Sequence, residues 1–275
     1  MKIIVLGGMG FVGSYILKKL KQSGYCVYLF DIELSLTMDA SRFYAVFKFF
    51  YDVQPELVIN LAGLTGSLGK SSKEVSITYP YEFLYTNYLI TLNILESMRL
   101  LNIRKLIHMS SLSVNCHQED ISEDSPLTPC DPYGVSKACS EMLCKLYSEL
   151  YEIKVAIIRA PLIVGRGQRE LNALREFIKA ALENKPLNIF GDGSHEREWI
   201  HPYDVSEAIL RAIKFLHDPT TPRFNIFLLG APHNRISMKD LAESIINRIG
   251  KGISRYINPN KKYPSQRTHP EKTYQ

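Results

Sequence analysis

The sequence predicts an α/β fold built on a doubly wound parallel sheet, and three observations carry that reading. Short runs dense in Val, Ile and Leu alternate with longer stretches of helical period. The first run breaks into a glycine-rich turn, "GGMGFVG" at residues 7–13, before an amphipathic stretch. The polar motifs fall at or just after the ends of the apolar runs, where sheets of this kind bind ligands.

The runs "KIIVLG", "YCVYLFD", "ELVINLAG", "RKLIHMSS" and "KVAIIRAP" read as strands. Their continuous apolar character suits a parallel sheet covered on both faces. Between them, "FVGSYILKKLKQSG", "SRFYAVFKFFYDV", "PYEFLYTNYLITLNILESMRLLN" and "DPYGVSKACSEMLCKLYSELYE" read as helices. After residue 160 the alternation loosens. A helix "LNALREFIKAALENKP" and a strand "LNIFG" precede a loop, "DGSHEREWIHPYD"; then come a helix "VSEAILRAIKFLH", a strand "FNIFLLG" and a helix "SMKDLAESIINRIG". The expected organisation is a main domain over 1–160 and 201–230, with a smaller α/β lobe over 161–200 and 231–275 that binds substrate. The polar tail with its prolines is expected to be poorly ordered.

The chain is long enough for one large domain with an added lobe. Its net charge of +5 includes no dense basic block, so a nucleic-acid partner is not expected, and an anionic small molecule suits the bias. No apolar run approaches the ~20 residues of a membrane span. No cleavable leader is evident. The five cysteines, Cys26, Cys116, Cys130, Cys139 and Cys144, form no CxxC, and their number is odd, so all are expected to be reduced thiols of a soluble, cytoplasmic protein. His108, His195 and His201 show no metal-ligand spacing, and no metal is expected.

Gly7, Gly10 and Gly13 have GxxGxxG spacing between a strand and a helix, where Phe11 and Val12 open the helix. One glycine allows the tight turn, the second admits a pyrophosphate to the backbone at the helix N-terminus, and the third lets helix and sheet pack closely. Asp31 ends the next strand, 18 residues after Gly13, about where a carboxylate grips an adenosine ribose. That carboxylate repels a 2′-phosphate, and no Arg or Lys lies between Asp31 and Asp39, so NAD is favoured over NADP. A second glycine-rich stretch, "GLTGSLGKSS" at 63–72, ends like a nucleoside-triphosphate loop. It lacks the glycine six residues before the lysine (position 64 is Leu), and is expected to be a surface loop.

"YGVSK" places Tyr133 and Lys137 on one helix face. A tyrosine ordinarily titrates near 10, and a neighbouring ammonium together with a cationic nicotinamide would lower that enough for acid–base work near neutrality. Ser111, ending "RKLIHMSS", could bond the same substrate oxygen.

With these motifs in order, residues 1–250 resemble the extended short-chain dehydrogenase/reductases, specifically the NAD-dependent epimerase/dehydratase family acting on nucleotide sugars. The resemblance implies a Rossmann domain. It implies a cofactor site of Gly7, Gly10, Phe11, Val12, Gly13, Asp31, Asp39 beside the adenine, Leu61 and Ala62 of "NLAG", Tyr133 and Lys137. It implies catalytic Ser111, Tyr133 and Lys137, with Ser110 the lesser choice for the serine, and an Asn87 that steadies a nearby helix. "FGDGSHEREWIHPYDVSEAI" at 190–209 resembles the stretch whose arginine contacts the sugar nucleotide's diphosphate, which would be Arg197, flanked by Trp199, His201 and Asp204. A fork-shaped, permanently charged guanidinium suits that task. Helices 80–101 and 133–151 would form the family's common four-helix homodimer interface.

The sequence also departs from the family. The 4,6-dehydratases carry Asp-Glu directly after the catalytic serine or threonine, and here Leu112 and Ser113 follow. Bifunctional 3,5-epimerases use a cysteine two residues after the serine; that position is Ser113, and Cys116 is out of register. Leu162 stands where many members carry a substrate-contacting Asn, and Asn115 where a tyrosine usually follows the serine strand. The expected function is NAD-dependent C4 epimerisation of a nucleotide sugar. The alternatives are reduction of a 4-keto sugar nucleotide, or a catalytically idle NAD-binding protein.

Overall fold

A computed structural model describes residues 1–66, 71–116, 121–168, 172–230 and 235–257. The chain divides into two compact units, Met1–Leu171 with Glu198–Asn234, and Asn172–Arg197 with Arg235–Gln275.

The first unit is built on a six-stranded sheet: β1 (Lys2–Leu6), β2 (Cys26–Phe30), β3 (Leu57–Asn60), β4 (Lys105–Ser111), β5 (Lys154–Ala160) and a later strand, Phe224–Leu228. In space the order is β2-β1-β3-β4-β5 followed by that later strand, and every pairing is parallel. The order reverses between β1 and β3. The crevice beyond the carboxyl ends of those two strands is therefore the topological switch point, where ligands bind in open α/β sheets.

Alternate residues of β1 supply two cores. Ile3 and Val5 face α1 (Phe11–Gln22, through Ile16 and Leu20) and a helix spanning Pro202–His217 (through Val205, Ile209, Ile213 and Leu216). Ile4 and Leu6 face α2 (Phe43–Val53, through Val46 and Phe50), a helix at Pro80–Leu100 (through Ile90, Ile94 and Met98) and another at Pro132–Tyr151 (through Cys144 and Tyr147). The predicted doubly wound sheet is what these residues form.

Between β3 and the Pro80 helix lies α3 (Ser72–Thr78). It is capped by a reciprocal box in which Ser71 accepts from the Glu74 amide and Glu74 accepts from the Ser71 amide. The helices after it are α4 (Pro80–Leu100) and α5 (Pro132–Tyr151), with a 3₁₀ turn at Leu112–Val114. The candidate loop at 63–72 lies partly outside the described residues; its end is the Ser71 cap of α3.

The remaining elements are β6 (Leu162–Ile163), α6 (Ala173–Leu182), β7 (Pro186–Phe190), β8 (Glu196–Ile200), α7 (Pro202–His217), β9 (Phe224–Leu228), β10 (Arg235–Ser237), α8 (Met238–Ile249) and β11 (Ile253–Ile257). In the first unit β6 runs parallel to the end of β8, with Leu162 opposite Trp199 and Ile163 opposite Ile200. In the second unit β7 and β11 pair in parallel, and α6 packs on α8. Phe177, Ala181, Leu187, Ile189, Leu241, Ala242 and Ile245 are buried there. The "DGSHEREWIHPYD" stretch read as a loop thus contains a strand. Only Trp199 and Ile200 of β8 are buried, too few to show a period.

Candidate active site

The glycine turn leaves β1 at the switch point, and its three motif glycines meet different demands. Gly7 has φ +76°, and a Cβ there would lie 2.7 Å from the Ala62 amide nitrogen, because the turn packs directly on the "NLAG" strand end. A Cβ on Gly13 would lie 2.6 Å from the carbonyl oxygens of Gly7 and Gly8. Gly10 is exposed, and a Cβ there would come no nearer than 3.4 Å to any protein atom. Packing therefore explains two glycines, while the third keeps open the backbone at the start of α1. Gly10 is the N-cap of α1 and offers no side chain to cap the first-turn amides, the kind of helix start that suits an anion.

Asp31 closes the other side. It is 7% exposed; its Oδ2 accepts from the Met9 amide at 2.8 Å and its Oδ1 from the Glu33 amide at 3.0 Å. Asp39 Oδ1 accepts from the Ser41 amide and hydroxyl, and its Oδ2 lies 3.5 Å from Arg42 Nε. The Leu61 amide bonds Leu6 O, and the Ala62 amide bonds Asn60 Oδ1, joining the two strand ends. Phe11 and Val12 are half-buried in the first turn of α1. An open Gly10, uncapped amides and a buried acid one strand over fit a dinucleotide.

β4 delivers two serines to opposite faces. Ser110 is buried and donates to Glu141 of α5. Ser111 is half-buried; it accepts from the Ser113 amide and donates to Ser113 Oγ, each at 3.1 Å, and so caps the 3₁₀ turn. The next segment then runs against α5. A Cβ on Gly134 would lie 2.5 Å from Ser113 O, so only glycine lets the helix start beside Tyr133 approach the Ser111 turn.

α5 begins at Asp131, whose Oδ1 accepts from the Gly134 amide at 2.8 Å, with Pro132 at the first helical position. Tyr133 is half-buried and meets the Phe83 ring edge-on at 6.3 Å. Asn87 of α4 accepts from the Leu64 amide at 2.6 Å and donates to Ser136 Oγ at 2.9 Å, and Ser136 donates to Tyr133 O. Asn87 therefore ties three segments of the site.

Lys137 is 6% exposed and donates to Met109 O at 2.9 Å. Burial lowers its pKa to about 8, with the nearby Glu141 and Cys144 opposing the shift. His108, buried on β4 and bonded to Asn60, is held near 3 by burial and by Lys137, so it is neutral. An ammonium poised near 8 is one that shares protons readily at physiological pH.

Arg197 lies in the second unit, on β8, with its side chain exposed. Its neighbours in the sequence motif have structural work. Trp199 is core, His201 Nδ1 accepts from the Tyr203 amide at the start of α7, and Asp204 sits in that helix's first turn. Leu162, on β6, is exposed. Among the described residues no group of His, Cys, Asp and Glu could hold a metal ion, and no helix is long and apolar enough to cross a membrane.

The cysteine reading needs correction. Cys116 and Cys130 are joined in a disulfide, leaving Cys26, Cys139 and Cys144 free. The pairing follows from local structure, since Asn115 bridges to Thr128 and the Cys116 amide donates to Thr128 O, folding the segment before α5 back onto the 3₁₀ turn. Sequence reading also passed over Glu141 and Arg159. The available signal was an arginine inside the apolar run "KVAIIRAP", which a buried strand tolerates only with a partner.

The model of the NAD dependent epimerase/dehydratase family matches residues 3–226. The chain belongs to that family. It is 30% identical to a UDP-glucuronate 4-epimerase of Thermodesulfobacterium geofontis over 82% of this chain and 67% of the relative. It is 28% identical to a dTDP-D-glucose 4,6-dehydratase of Dictyostelium discoideum over 90% of this chain and 62% of that one. Among solved structures, a Bacillus cereus UDP-glucuronic acid 4-epimerase in complex with NAD superposes with a TM-score of 0.77 at 26% identity, covering 94% of this chain and 86% of the other. Membership of the epimerase/dehydratase family makes the chain an NAD-dependent enzyme and its relatives enzymes of nucleotide sugars.

Proposed function

We propose that the enzyme interconverts nucleotide sugars epimeric at C4. The observation that carries this reading is that the helix start bearing Tyr133 packs through Gly134 on the Ser111 turn, and Lys137 bonds Met109 O on the Ser111 strand, with Leu112 and Ser113 immediately behind the serine. The set can move a proton at one carbinol oxygen and has no carboxylate at the positions where a dehydratase would expel water. Bound NAD would supply the reversible hydride acceptor at the adjacent carbon. Tyr133 takes the proton of the 4-hydroxyl and returns it after the sugar has presented its other face. Ser111 holds the same oxygen, and the Lys137 charge lowers the cost of the phenolate. Gly7, Gly10, Phe11, Val12, Gly13, Asp31, Asp39, Leu61 and Ala62 are the proposed cofactor contacts. Arg197 is the proposed ligand of the substrate's diphosphate, and the second unit the proposed substrate lobe. The epimerase relative supports C4 chemistry, and the dehydratase relative is why the Leu112–Ser113 departure matters.

The proposed assembly is a homodimer through α4 and α5. Tyr81, Tyr85 and Tyr88 on α4, with Met142, Leu146 and Leu150 on α5, expose large apolar groups on two helices that pack side by side. Light scattering on wild type and on Leu146→Glu tests it; a wild-type monomer removes the proposal.

The activity is tested by incubating the enzyme with UDP-glucose, UDP-glucuronate and UDP-N-acetylglucosamine and following the C4 epimers by NMR. Conversion to an equilibrium mixture supports the reading. Oxidation of one of these sugars to its 4-keto form, reducing added NAD to NADH with no epimer formed, would favour a keto-sugar reductase or dehydrogenase instead.

A further inference from the structure

Deep in the first unit lies a charge pair that the proposed chemistry does not use. Arg159 of β5 is 2% exposed and Glu141 of α5 is 3% exposed. Arg159 Nη2 donates to Glu141 Oε2 at 2.8 Å, and its Nε to Oε1 at 3.1 Å. Two ions buried this far are expensive, and a well-packed apolar pair is often as stable. What an apolar pair would lose is the set of bonds that this one makes to its surroundings.

Those bonds run to both flanks of Ser111, and from Asn115 on to the segment that precedes Tyr133. On one side, Ser110, the residue before Ser111, donates its hydroxyl to Glu141 Oε1. On the other, Arg159 Nη1 donates to Asn115 Oδ1 at 3.1 Å. Asn115 in turn donates to Pro126 O at 2.8 Å and to Ser125 O at 3.4 Å. That stretch continues through Thr128, whose amide bonds Val114 O, to the Asp131 cap of α5. The Asn115 side-chain amide thus acts as both acceptor and donor.

We infer that Glu141 and Arg159 are positioning residues: through Ser110 and Asn115 their ion pair fixes the strand end that carries Ser111 against the segment that leads into Tyr133. The inference rests on the proposed roles of Ser111 and Tyr133. A serine and a tyrosine that must reach one substrate oxygen tolerate little relative displacement, and a misplacement of about 1 Å can cost on the order of a hundredfold in rate. A fully bonded ionic network sets direction as well as distance, which apolar contacts do not.

Three variants test it: Ser110→Ala, Ser110→Thr, and the double variant Glu141→Met with Arg159→Met. Ser110→Ala leaves the ion pair intact and removes one link. It should lower kcat roughly tenfold or more, with KM and NAD affinity within about twofold of wild type, and Ser110→Thr should restore most of the loss. The double variant should keep its thermal midpoint yet lose kcat at least as severely. A folded double variant and a Ser110→Ala variant that both turn over like wild type would overturn the inference. If the double variant does not fold, the Ala-versus-Thr comparison at 110 decides alone. Amide hydrogen exchange keeps this outcome apart from a failure of the proposed reaction. Even if wild type epimerises nothing, exchange across 111–116 and 121–133 should be faster in Ser110→Ala than in Ser110→Thr, and equal exchange would overturn the positioning role.

Discussion

Lys137 Nζ donates to the carbonyl oxygen of Met109 at 2.9 Å, so the ammonium is anchored on β4 two residues before Ser111. One bond thus registers the helix that carries Tyr133 against the strand that carries its partner serine. It also keeps the lysine in a setting that disfavours its own charge.

That setting predicts a trade between stability and activity. The lysine titrates near 8 in the folded protein and near 10.5 unfolded. The unfolded state therefore binds more protons between those values, and this group's contribution to stability rises with pH across that window. Below 8 the full penalty, about 3 kcal/mol, is present. Lys137→Met at pH 7 should raise the thermal midpoint, net of about 1 kcal/mol for the lost Met109 bond, while abolishing turnover. Calorimetry beside an activity assay checks both halves, and a destabilised variant contradicts the penalty.

His108 gives the opposite end of the pH scale. Its pKa falls from 6.5 to about 3 on folding, through burial and the Lys137 charge. As pH drops from 6.5 towards 3 the unfolded chain gains a proton that the folded one refuses, so stability is lost across that interval. In His108→Asn the loss between pH 6.5 and 4 should be smaller than in wild type, read as the difference in denaturant midpoints. Identical curves would show that His108 takes no part in acid unfolding.

The motif glycines separate folding from binding. Gly7→Ala and Gly13→Ala each force a Cβ within 2.8 Å of backbone atoms and should lower stability by a few kcal/mol. Gly10→Ala has room, should fold normally, and should lose NAD affinity on titration. Normal NAD binding by a folded Gly10→Ala would move the pyrophosphate away from this turn.

The Cys116–Cys130 bond closes a loop of sequence separation 14, for which chain entropy gives about 3 kcal/mol of stabilisation. Dithiothreitol should lower the thermal midpoint of wild type and leave Cys116→Ser/Cys130→Ser unchanged. Equal responses of the two proteins would show that this pair is not the source.

The core of the fold was legible because buried parallel strands are continuous apolar runs, and "KIIVL", "LVIN" and "KVAIIRA" all became strands of the main sheet. The polar α3 and the short β8 and β11 were not, since their few buried residues make no period. The run "DPYGVSKACSEMLCKLYSELYE" became α5, with Asp131 as its N-cap. The disulfide was not, because it depends on the Asn115–Thr128 bridge, a contact that cysteine spacing does not encode. Glu141 lay in plain view one turn after Lys137, yet a glutamate on a helix reads as solvated until Arg159 is seen across from it.

The most direct test of the central claim follows the C4 proton of a nucleotide sugar by NMR, with wild type and with Tyr133→Phe loaded with NAD to equal occupancy. Wild type should bring the sugar to equilibrium with its C4 epimer, while Tyr133→Phe, still holding NAD, leaves it unchanged. Epimerisation by Tyr133→Phe at the wild-type rate would contradict the account.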